Sequence, residues 1–405
     1  MSIPEIYKIF ISSTGISVDS RTIIKNKLFF SLKGPNFNGN KFAIEALEKG
    51  AKYSIIDEYK EETKNNNKLI LVNDVLECLK ELANFHRKKI KTKIIALTGS
   101  NGKTTTKELI KVVLEKKFKT IATKGNLNNH IGVPLTILNI PKDTEVGIIE
   151  MGANHKGEIK NLCKIAMPDW GYITNFGKAH LEGFKNLKGV IKGKSELYNY
   201  LNSNNGKILI NSNDKIQLEQ TKKYKKKSFG NLKNSDFIFE SIVNENGKTS
   251  IKINNYIFSS SIYGKYNFDN ICAAITFGKI FNVSDNLIQK GIESFKSENN
   301  RSQIIKRKNI TIILDAYNAN PSSMNEALKA FKENKISKNS CVILGDMLEL
   351  GKYSNKEHER IILKCLKFKI SHILLVGEFF TESKFQKNSN ILYYKNINEL
   401  ILYLK

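Results

Sequence analysis

Short apolar runs separated by longer amphipathic or polar stretches recur along most of the chain. Apolar runs of strand length are typical of buried strands in a parallel sheet, whereas the spacing in stretches such as Phe42–Lys49 is helical. The predicted strands are Leu28–Leu32, Tyr53–Asp57, Leu69–Val72, Ile94–Thr98, Gly147–Glu150, Trp170–Asn175, Lys207–Asn211, Ile310–Leu314, Cys341–Leu344 and Ile373–Val376. Because strands and helices alternate, the sequence predicts an α/β fold with mostly parallel, doubly wound sheets.

The predicted elements group into three units, as expected for 405 residues, which exceed what one hydrophobic core usually organises. Residues 1–90 form a small α/β unit that ends in the basic connector 88–93. Residues 91–299 form a central domain with a parallel sheet. Within it, the section 215–262 carries strand and turn signals and predicts an antiparallel flank. Residues 300–405 form a third, Rossmann-like α/β unit.

Composition and cysteine spacing narrow the class of protein. Forty per cent of the residues are apolar, but no apolar run approaches the roughly 20 residues that span a bilayer. Residues 1–12 lack a long apolar region that ends in a small-residue cleavage site, so we expect a cytoplasmic protein. The five cysteines are odd in number and never spaced as C-x-x-C. This disfavours a disulfide framework or a zinc site and predicts reduced core thiols.

The net charge of +26 suggests a nucleic-acid or acidic-membrane partner only if the basic residues cluster. Lysines are instead spread along the whole chain, and only Lys222–Lys227 (KKYKKK) forms a run. Runs of charge are commonly exposed surface, so the sequence favours a solvated loop there. A nucleic-acid patch is the alternative.

The strongest chemical signal is Leu97–Thr105 (LTGSNGKTT). A strand that enters a glycine turn at a helix N-terminus aims backbone N–H groups at one point, a geometry that binds phosphate. Lys103 would neutralise the β and γ phosphates of ATP, and the Thr104 hydroxyl would bind Mg²⁺. The turn has two residues rather than four between its glycines, so it is tighter than the general phosphate-loop spacing. The predicted ATP-binding residues of the turn are Gly99, Ser100, Asn101, Gly102, Lys103, Thr104 and Thr105.

Two further polar residues follow predicted strands of the central domain. Glu150 ends an apolar strand and would lie beside the phosphate loop, where a hard oxygen ligand suits Mg²⁺. The alternative for Glu150 is an ordinary solvated strand end. His180, one of only six histidines, follows the strand 170–175 in a loop. A lone histidine is more often structural than functional.

These motifs resemble, in order and spacing, those of the Mur ligases, ATP-dependent enzymes of bacterial cell-wall synthesis. The resemblance rests on the phosphate loop, on Glu150 after its strand and on the string Asn175–Glu182 (NFGKAHLE). It implies that His180 binds a second Mg²⁺ and that Lys194 is carbamylated, so that its carbamate oxygens help to hold the metal. Without the resemblance, Lys194 reads as a surface helix lysine. The neighbouring Lys192 is the alternative candidate for carbamylation.

The third unit carries motifs that the resemblance places on the other side of the nucleotide. Arg301 would contact an ATP phosphate when the domains close, a task that suits a permanent bidentate cation. An inter-domain salt bridge is its alternative role. The string Asp315–Pro321 (DAYNANP) implies that Asp315 binds the ribose and that Asn320 lies in the nucleotide pocket. Many relatives carry Asp at the position of Leu314, a minor departure because Asp315 is retained.

Other family segments are matched with less chemical content. The segment Gly264–Asn270 resembles one near the adenine, with Tyr266 in place of the usual histidine, and it makes Asn267 and Asn270 candidate ATP-binding or structural residues. The segment 344–351 and His358 also match the last domain, but no role follows for them. On the substrate side, the resemblance assigns Ser20, Arg21, Asn126, Asn128 and Asn129. The asparagine loop among these also has the composition of plain turn chemistry.

The resemblance covers the chain from end to end and implies a ligase of peptidoglycan precursor synthesis. Within the family, the string 315–321 points to the member that adds D-alanyl-D-alanine to UDP-N-acetylmuramoyl-tripeptide. An acyl phosphate made from ATP would be the intermediate, Lys103, His180, Lys194 and Arg301 the catalytic residues, two Mg²⁺ ions the cofactors, and a monomer the functional unit. Meso-diaminopimelate and lysine both remain open as residue three of the tripeptide. The alternatives are another ligase of the superfamily, such as a folylpolyglutamate-type enzyme, and a P-loop ATPase that binds nucleic acid.

Overall fold

The computed structural model describes residues 1–22, 25–59, 65–243, 249–297, 300–333, 339–382 and 389–405. Its N-terminal part contains the strands β1 (Ile16–Ser17), β2 (Leu28–Phe30), β3 (Lys33–Gly34), β4 (Phe37–Asn38), β5 (Tyr53–Ile56) and β6 (Leu69–Leu71), and the helices α1 (Ile3–Ile11), α2 (Ala43–Glu48) and α3 (Val75–Lys89). Strands β1, β2, β5 and β6 form a parallel sheet in that order, and β3 and β4 form a hairpin. This is the small α/β unit that the apolar pattern predicts.

The central part has more elements. Its strands are β7 (Lys93–Thr98), β8 (Thr120–Ala122), β9 (Val146–Glu150), β10 (Trp170–Ile173), β11 (Lys207–Asn211), β12 (Lys226–Gly230), β13 (Phe237–Ile238), β14 (Glu240–Val243), β15 (Thr249–Ile253) and β16 (Tyr256–Ser259). Its helices are α4 (Lys103–Leu114), α5 (Gly132–Leu138), α6 (Glu158–Ala166), α7 (Leu181–Phe184), α8 (Leu187–Lys194), α9 (Glu196–Ser203), α10 (Lys215–Gln220), α11 (Phe268–Ile280) and α12 (Asp285–Ser294).

Seven of these strands form one parallel sheet in the order β13-β12-β11-β10-β7-β9-β8. The central strand β7 therefore lies between β9 and β10, and the loops that follow these three strands meet at one edge. Connections run to opposite sides of β7, which creates the switch point at which open α/β sheets bind ligands. The predicted parallel sheet is confirmed, and its topology places the phosphate loop beside Glu150 and the loop that carries His180.

The antiparallel flank is smaller than the sequence predicts. Among the described residues of 215–262, only β14, β15 and β16 pair antiparallel, whereas β12 and β13 extend the parallel sheet. The prediction of an antiparallel section over 215–262 is therefore wrong for its first half, because strand and turn signals do not reveal the direction of pairing. The basic run 222–227, predicted as a solvated loop, ends inside β12. There Lys226 donates to the Thr221 carbonyl at 2.8 Å, and Lys227 pairs with Asp236 at 2.8 Å.

The C-terminal part contains the strands β17 (Gln303–Arg307), β18 (Ile310–Leu314), β19 (Cys341–Gly345), β20 (His372–Val376) and β21 (Ile391–Tyr394), and the helices α13 (Pro321–Glu333), α14 (Ser354–Lys367), α15 (Glu378–Thr381) and α16 (Ile397–Leu404). Strands β19, β20 and β21 form a parallel sheet, as predicted, but β17 and β18 form a separate antiparallel hairpin. Ile310 and Ile312 of this hairpin are 64% and 42% exposed. The prediction of a buried strand is wrong here, because a two-stranded ribbon leaves part of its apolar surface uncovered.

A polar joint holds the N-terminal part against the central part. Arg87 near the end of α3 is 9% exposed and donates to the carbonyl oxygens of Ala166 and Met167 at 2.8 and 3.0 Å and to Asp169 at 2.9 Å. Two of these acceptors end α6, where unpaired carbonyls and the helix dipole favour a cation. The joint keeps α3 beside α6, and both helices line the same cleft.

The sequence predicts no membrane-spanning helix, and it predicts that the cysteines are reduced core thiols. No helix in the described parts of the chain is both long and apolar enough to cross a membrane. All five cysteines are free, and four of them are buried as predicted. Cys341 is exposed at the start of β19, so the prediction of a core thiol is wrong for that residue.

Candidate functional site

A cleft of about 1580 Å³ lies where the three parts of the chain meet. The phosphate loop, the asparagine loop 126–130 and the loop 175–180 form its central wall. The C-terminal part contributes the segment 317–323 and the tip 348–349 from the opposite side. A ligand in this cleft therefore touches loops that follow parallel strands and a second domain at the same time.

The phosphate loop owes its shape to two glycines and to the strand beside it. Gly99 has φ of +147°, and a Cβ atom there would lie 1.9 Å from Thr174 Oγ1. Gly102 has φ of +77° and begins α4, where a side chain would strain the backbone. Asn175 accepts from the Asn101 backbone N–H at 3.1 Å, and its own carbonyl accepts from the Ser100 N–H at 3.1 Å. The tight turn is therefore braced by the next strand of the sheet.

Lys103 lies at the mouth of this loop, at the first residue of α4. Its Nζ donates to the carbonyl oxygens of Gly99 and Ser100 at 2.9 and 3.3 Å. Burial lowers the pKa of Lys103, the carboxylate of Glu150 raises it, and the nearby guanidinium of Arg301 lowers it. Two cations from different domains thus face one helix N-terminus, an arrangement that attracts a polyphosphate.

Glu150 and Thr104 form an oxygen pair beside the loop. The Thr104 hydroxyl donates to Glu150 Oε2 at 2.9 Å, and the Asn128 side-chain amide donates to Oε1 at 2.8 Å. Glu150 is 2% exposed, so it is not the solvated strand end that remained as an alternative. A hydroxyl, a carboxylate and an amide carbonyl are hard donors that fit Mg²⁺. Since the described residues contain no group of three or more His, Cys, Asp or Glu side chains, phosphate and water oxygens would have to complete the shell.

His180 lies in the loop after β10 and lines the cleft. Its φ of +52° is rare for a residue with a side chain, and its Nδ1 contacts the carboxylate of Glu349 from the C-terminal part. Burial lowers the pKa of His180, the adjacent Glu349 raises it, and the nearby ammonium groups of Lys103 and Lys194 lower it. The sequence pointed to His180 but not to its partner Glu349.

Lys194 ends α8 behind the cleft and is 1% exposed. Its Nζ lies 5.6 Å from the ring centre of Phe184. Burial lowers the pKa of Lys194 well below its usual range, and the positive charge of Lys103 lowers it further. The surface-lysine interpretation is therefore wrong for Lys194. Lys192, the alternative candidate, is exposed.

Arg301 reaches the cleft from the junction between the central and C-terminal parts. Its guanidinium carbon lies 3.7 Å from the ring centre of Tyr317, a stacking contact that leaves the N–H edge open. Arg301 Nε is buried without a hydrogen-bond partner. The predicted alternative of an inter-domain salt bridge has no counterpart among the described ion pairs. Asp315 lies nearby and accepts from the Ser302 backbone N–H at 3.1 Å.

The remaining predicted nucleotide residues brace the loop as well as line the cleft. Asn320 donates to Asn101 Oδ1 at 2.6 Å, which ties the C-terminal part to the phosphate loop. Asn270 accepts from the Thr106 hydroxyl at 2.9 Å and donates to Asn267 at 2.8 Å. Asn267 and Asn270 are 2% and 6% exposed. Both therefore carry a structural role that pins α11 to the phosphate-loop helix.

The predicted substrate residues divide into two groups. Asn126, Asn128 and Asn129 line the cleft, and Asn129 also accepts from the backbone N–H groups of residues 131 and 132. Ser20 and Arg21 lie outside the cleft lining, and Arg21 forms an exposed pair with Asp19. The N-terminal part reaches the cleft mainly through α3, together with Ile3 of α1.

Burial lowers the pKa of His86 and His358 below the ordinary value of 6.5. The folded state therefore favours the neutral imidazole of both residues. The contribution of these two histidines to the free energy of unfolding is present above pH 6.5 and is lost as the pH falls through their lowered folded-state pKa values. We expect the free energy of unfolding, from urea titration, to fall between about pH 7.5 and about pH 5.5. His86→Gln should weaken this dependence, and replacement of the exposed His130 should not. Equal pH dependence in all three proteins would contradict the assignment.

Family models match three stretches of the chain. Residues 12–87 match the model described as "Mur ligase family, catalytic domain". Residues 97–278 match "Mur ligase middle domain". Residues 300–403 match "Mur ligase, glutamate ligase domain". The middle-domain match contains the phosphate loop, Glu150, His180 and Lys194. The last match contains the residues that face this loop from the C-terminal part.

Individual relatives agree with these models. A UDP-N-acetylmuramoyl-tripeptide–D-alanyl-D-alanine ligase of Bacillus subtilis is 34% identical over 90% of this chain and 80% of its own length. The ligase of the same name from Escherichia coli is 30% identical over 91% and 82%. A crystal structure of MurF from Acinetobacter baumannii superposes with a TM-score of 0.86 at 29% identity over 96% and 86%. MurF of Thermotoga maritima in complex with ADP gives 0.82 at 25% identity over 94% and 88%. The chain therefore belongs to the Mur ligase family.

Proposed function

We propose that this chain uses ATP to join D-alanyl-D-alanine to the tripeptide of UDP-N-acetylmuramoyl-tripeptide. The observation that carries the proposal is one cleft in which a phosphate loop from the central domain faces Arg301, Asp315 and Asn320 from the C-terminal domain. Relatives that bear this activity in their names align with nearly the whole chain. The product would be the pentapeptide precursor of peptidoglycan, with ADP and phosphate released.

The polyphosphate of ATP lies along the N-terminus of α4. Backbone N–H groups of residues 99–105 surround the phosphates, and Lys103 and Arg301 supply positive charge from two domains. Asp315 accepts hydrogen bonds from the ribose hydroxyls. Arg301 is oriented for its contact with phosphate, because its guanidinium stacks on the ring of Tyr317 without using its N–H donors.

Thr104 and Glu150 would hold one Mg²⁺, and His180 would be a ligand of a second ion. When bound, Mg²⁺ neutralises negative charge on the phosphates and makes the γ-phosphorus more electrophilic. The hydrogen bond between the Thr104 hydroxyl and Glu150 supports this assignment, because it keeps the two oxygens next to each other. The Asn128 amide fixes the second Glu150 oxygen and so aims the carboxylate.

Lys194 is a carbamate in the active enzyme. The formation of a carbamate requires a neutral amine that attacks CO₂, and a lysine as deeply buried as Lys194, whose pKa is lowered, is disposed to lose its proton. The modification replaces a poorly solvated cation by an anion, which the neighbouring charge of Lys103 stabilises. The exposed Lys192 lacks both of these features.

Amide formation at neutral pH needs an activated acyl group, because a carboxylate is a poor electrophile. The tripeptide carboxylate attacks the γ-phosphorus, ADP leaves, and an acyl phosphate forms. Lys103 and Arg301 stabilise the charge that spreads over the transferred group, and the docked C-terminal domain keeps water away from the intermediate. The amine of D-alanyl-D-alanine then attacks the acyl carbon, and the tetrahedral intermediate expels phosphate.

Asp315→Ala should raise the KM for ATP about tenfold and change kcat little. A ribose contact is made equally in the ground state and the transition state, so its loss weakens binding without slowing the chemical step. Initial rates over a range of ATP concentrations measure this split. Asn318→Ala, a change three residues along the same segment, is the matched control and should leave the KM for ATP nearer the wild-type value. An unchanged KM in Asp315→Ala would remove Asp315 from the ribose site.

Phosphate release by the purified protein tests the proposed function. We expect release to require ATP, Mg²⁺ and UDP-N-acetylmuramoyl-tripeptide, and to increase strongly when D-alanyl-D-alanine is added. L-alanyl-L-alanine is the matched control and should not increase it. ATP hydrolysis that responds to DNA or RNA and ignores the dipeptide would instead support the nucleic-acid alternative.

A further inference from the structure

The segment 345–351, which connects β19 to α14, has no role in the activity proposed above. We name it the presenting loop. Its tip, Leu348 and Glu349, lines the cleft, although the rest of the loop belongs to the C-terminal domain. Glu349 contacts His180 of the central domain through its side chain. Its carbonyl oxygen also accepts from the Glu182 backbone N–H at 3.0 Å, on the other side of His180.

Buried contacts shape the presenting loop. Met347 and Leu350 are 0% and 2% exposed and anchor the loop on either side of its tip. His358, also 0% exposed, accepts from the Met347 backbone N–H at 3.0 Å through Nε2, and its Nδ1 lies 2.8 Å from the Ser354 carbonyl oxygen. His358 is therefore a neutral structural residue with its proton on Nδ1. His358, for which no role follows from the sequence, therefore holds the presenting loop in its shape.

The tip itself is conformationally costly. Glu349 has φ of +59°, a left-handed conformation that is unfavourable for a residue with a side chain. His180 has φ of +52°. Two non-glycine residues in this conformation thus meet across a domain interface, and each is held by surrounding contacts. Strain of this kind persists where the fold over-determines a geometry.

We propose that Glu349 is a positioning residue that orients His180 across the domain interface. A carboxylate can only accept a hydrogen bond, so His180 must carry its proton on Nδ1 and keep its lone pair on Nε2. This tautomer allows Nε2 to bind a metal or accept a proton. Because Glu349 comes from the C-terminal domain, His180 is fixed in this form when that domain docks. Docking of that domain thereby completes the site around His180.

The inference rests on the proposed function for its kinetic test but not for its structural test. Nitrogen-15 NMR of the full-length protein with Mg²⁺ and a non-hydrolysable ATP analogue reads the tautomer directly, and six histidines keep the spectrum tractable. His180→Gln identifies the signal. We expect the Nδ1–H tautomer in the wild type and its loss in Glu349→Ala. An Nε2–H tautomer in the wild type would overturn the proposal.

Kinetics give a second, independent readout. Glu349→Ala should lower kcat about 10–100-fold and leave the KM for ATP unchanged, the usual effect of removing a carboxylate behind a histidine ligand. Glu349→Gln should retain more activity, because its amide oxygen can still accept from Nδ1–H. Lys352→Ala is the control in the same connection and should behave as the wild type. In a His180→Ala background, Glu349→Ala should cause no further loss.

Two outcomes would separate this inference from the proposed function. A full additional loss on Glu349→Ala in the His180→Ala background would show that Glu349 acts independently of His180 and would overturn the inference. If the protein does not ligate D-alanyl-D-alanine but shows the expected tautomer, the proposed function fails and the positioning role stands. Thermal unfolding of each variant excludes loss of fold as the cause.

Discussion

Lys103→Ala is expected to lower kcat/KM by at least about 10³-fold and to leave the fold intact. In the proposed function, the ammonium group of Lys103 would contact the phosphates at the start of α4, and Arg301 alone could not replace it from the opposite domain. The fold should survive because Nζ donates only to two carbonyl oxygens of its own loop. Ligation rates at saturating ATP measure the activity, and thermal unfolding measures the fold.

Lys111→Ala, two turns further along α4, is the matched control. Lys111 makes a long, exposed contact of 4.0 Å with Glu115, so its removal should alter neither activity nor stability. Near-wild-type turnover in Lys103→Ala at saturating ATP would contradict the assignment of this turn as a phosphate loop. A comparable loss in Lys111→Ala would show that α4 tolerates no substitution, and the result for Lys103 would then carry no chemical meaning.

Lys194→Ala should abolish most of the activity, and acetate at high concentration should restore part of it. If Lys194 is carbamylated as proposed, alanine leaves a gap where the carbamate would stand, and a small carboxylate can enter it and supply the missing anionic oxygens. A lysine that acts as a cation could not be replaced in this way. The measurement is the ligation rate as a function of acetate concentration, with chloride at equal ionic strength as the reference.

Lys192→Ala separates the two candidate lysines. Lys192 is exposed, so its variant should keep wild-type activity and show no response to acetate. Rescue of Lys194→Ala by alkylamines but not by carboxylates would refute the carbamate. Mass spectrometry would not settle the question as well, since carbamates lose CO₂ when the protein is acidified.

The sequence predicts the parallel core of this protein well, because buried parallel strands are continuous apolar runs. Lys207–Asn211 is a strand over the same residues as predicted, and the other central strands differ by one or two residues at their ends. The direction of pairing is less visible. The exposed antiparallel strand β18 (ITIIL) carries the same apolar residues as a buried parallel strand, whereas β12 (KKSFG) joins the parallel sheet without an apolar run. Pairing depends on contacts that are distant in sequence.

The residues of the candidate site also differ in how readily the sequence reveals them. The residues of the proposed phosphate loop can be identified from a short stretch of sequence, because Gly99, Gly102 and Lys103 all lie within one tight turn. Glu349 could not be found in this way, since its meaning depends on His180, 169 positions earlier in the chain. The motif around Glu349 was visible in the sequence. Only the fold shows that a buried histidine and two apolar anchors exist to bring that carboxylate to the cleft.

The most direct test follows oxygen-18 from the tripeptide carboxylate during a single ligation reaction. UDP-N-acetylmuramoyl-tripeptide labelled in its terminal carboxylate is incubated with ATP, Mg²⁺ and D-alanyl-D-alanine, and both products are examined by mass spectrometry. We expect a nucleotide product that is heavier by one dipeptide residue, and one oxygen-18 atom in the released phosphate, because the acyl phosphate passes a carboxylate oxygen to phosphorus. Unlabelled phosphate, or phosphate release without the pentapeptide product, would contradict it.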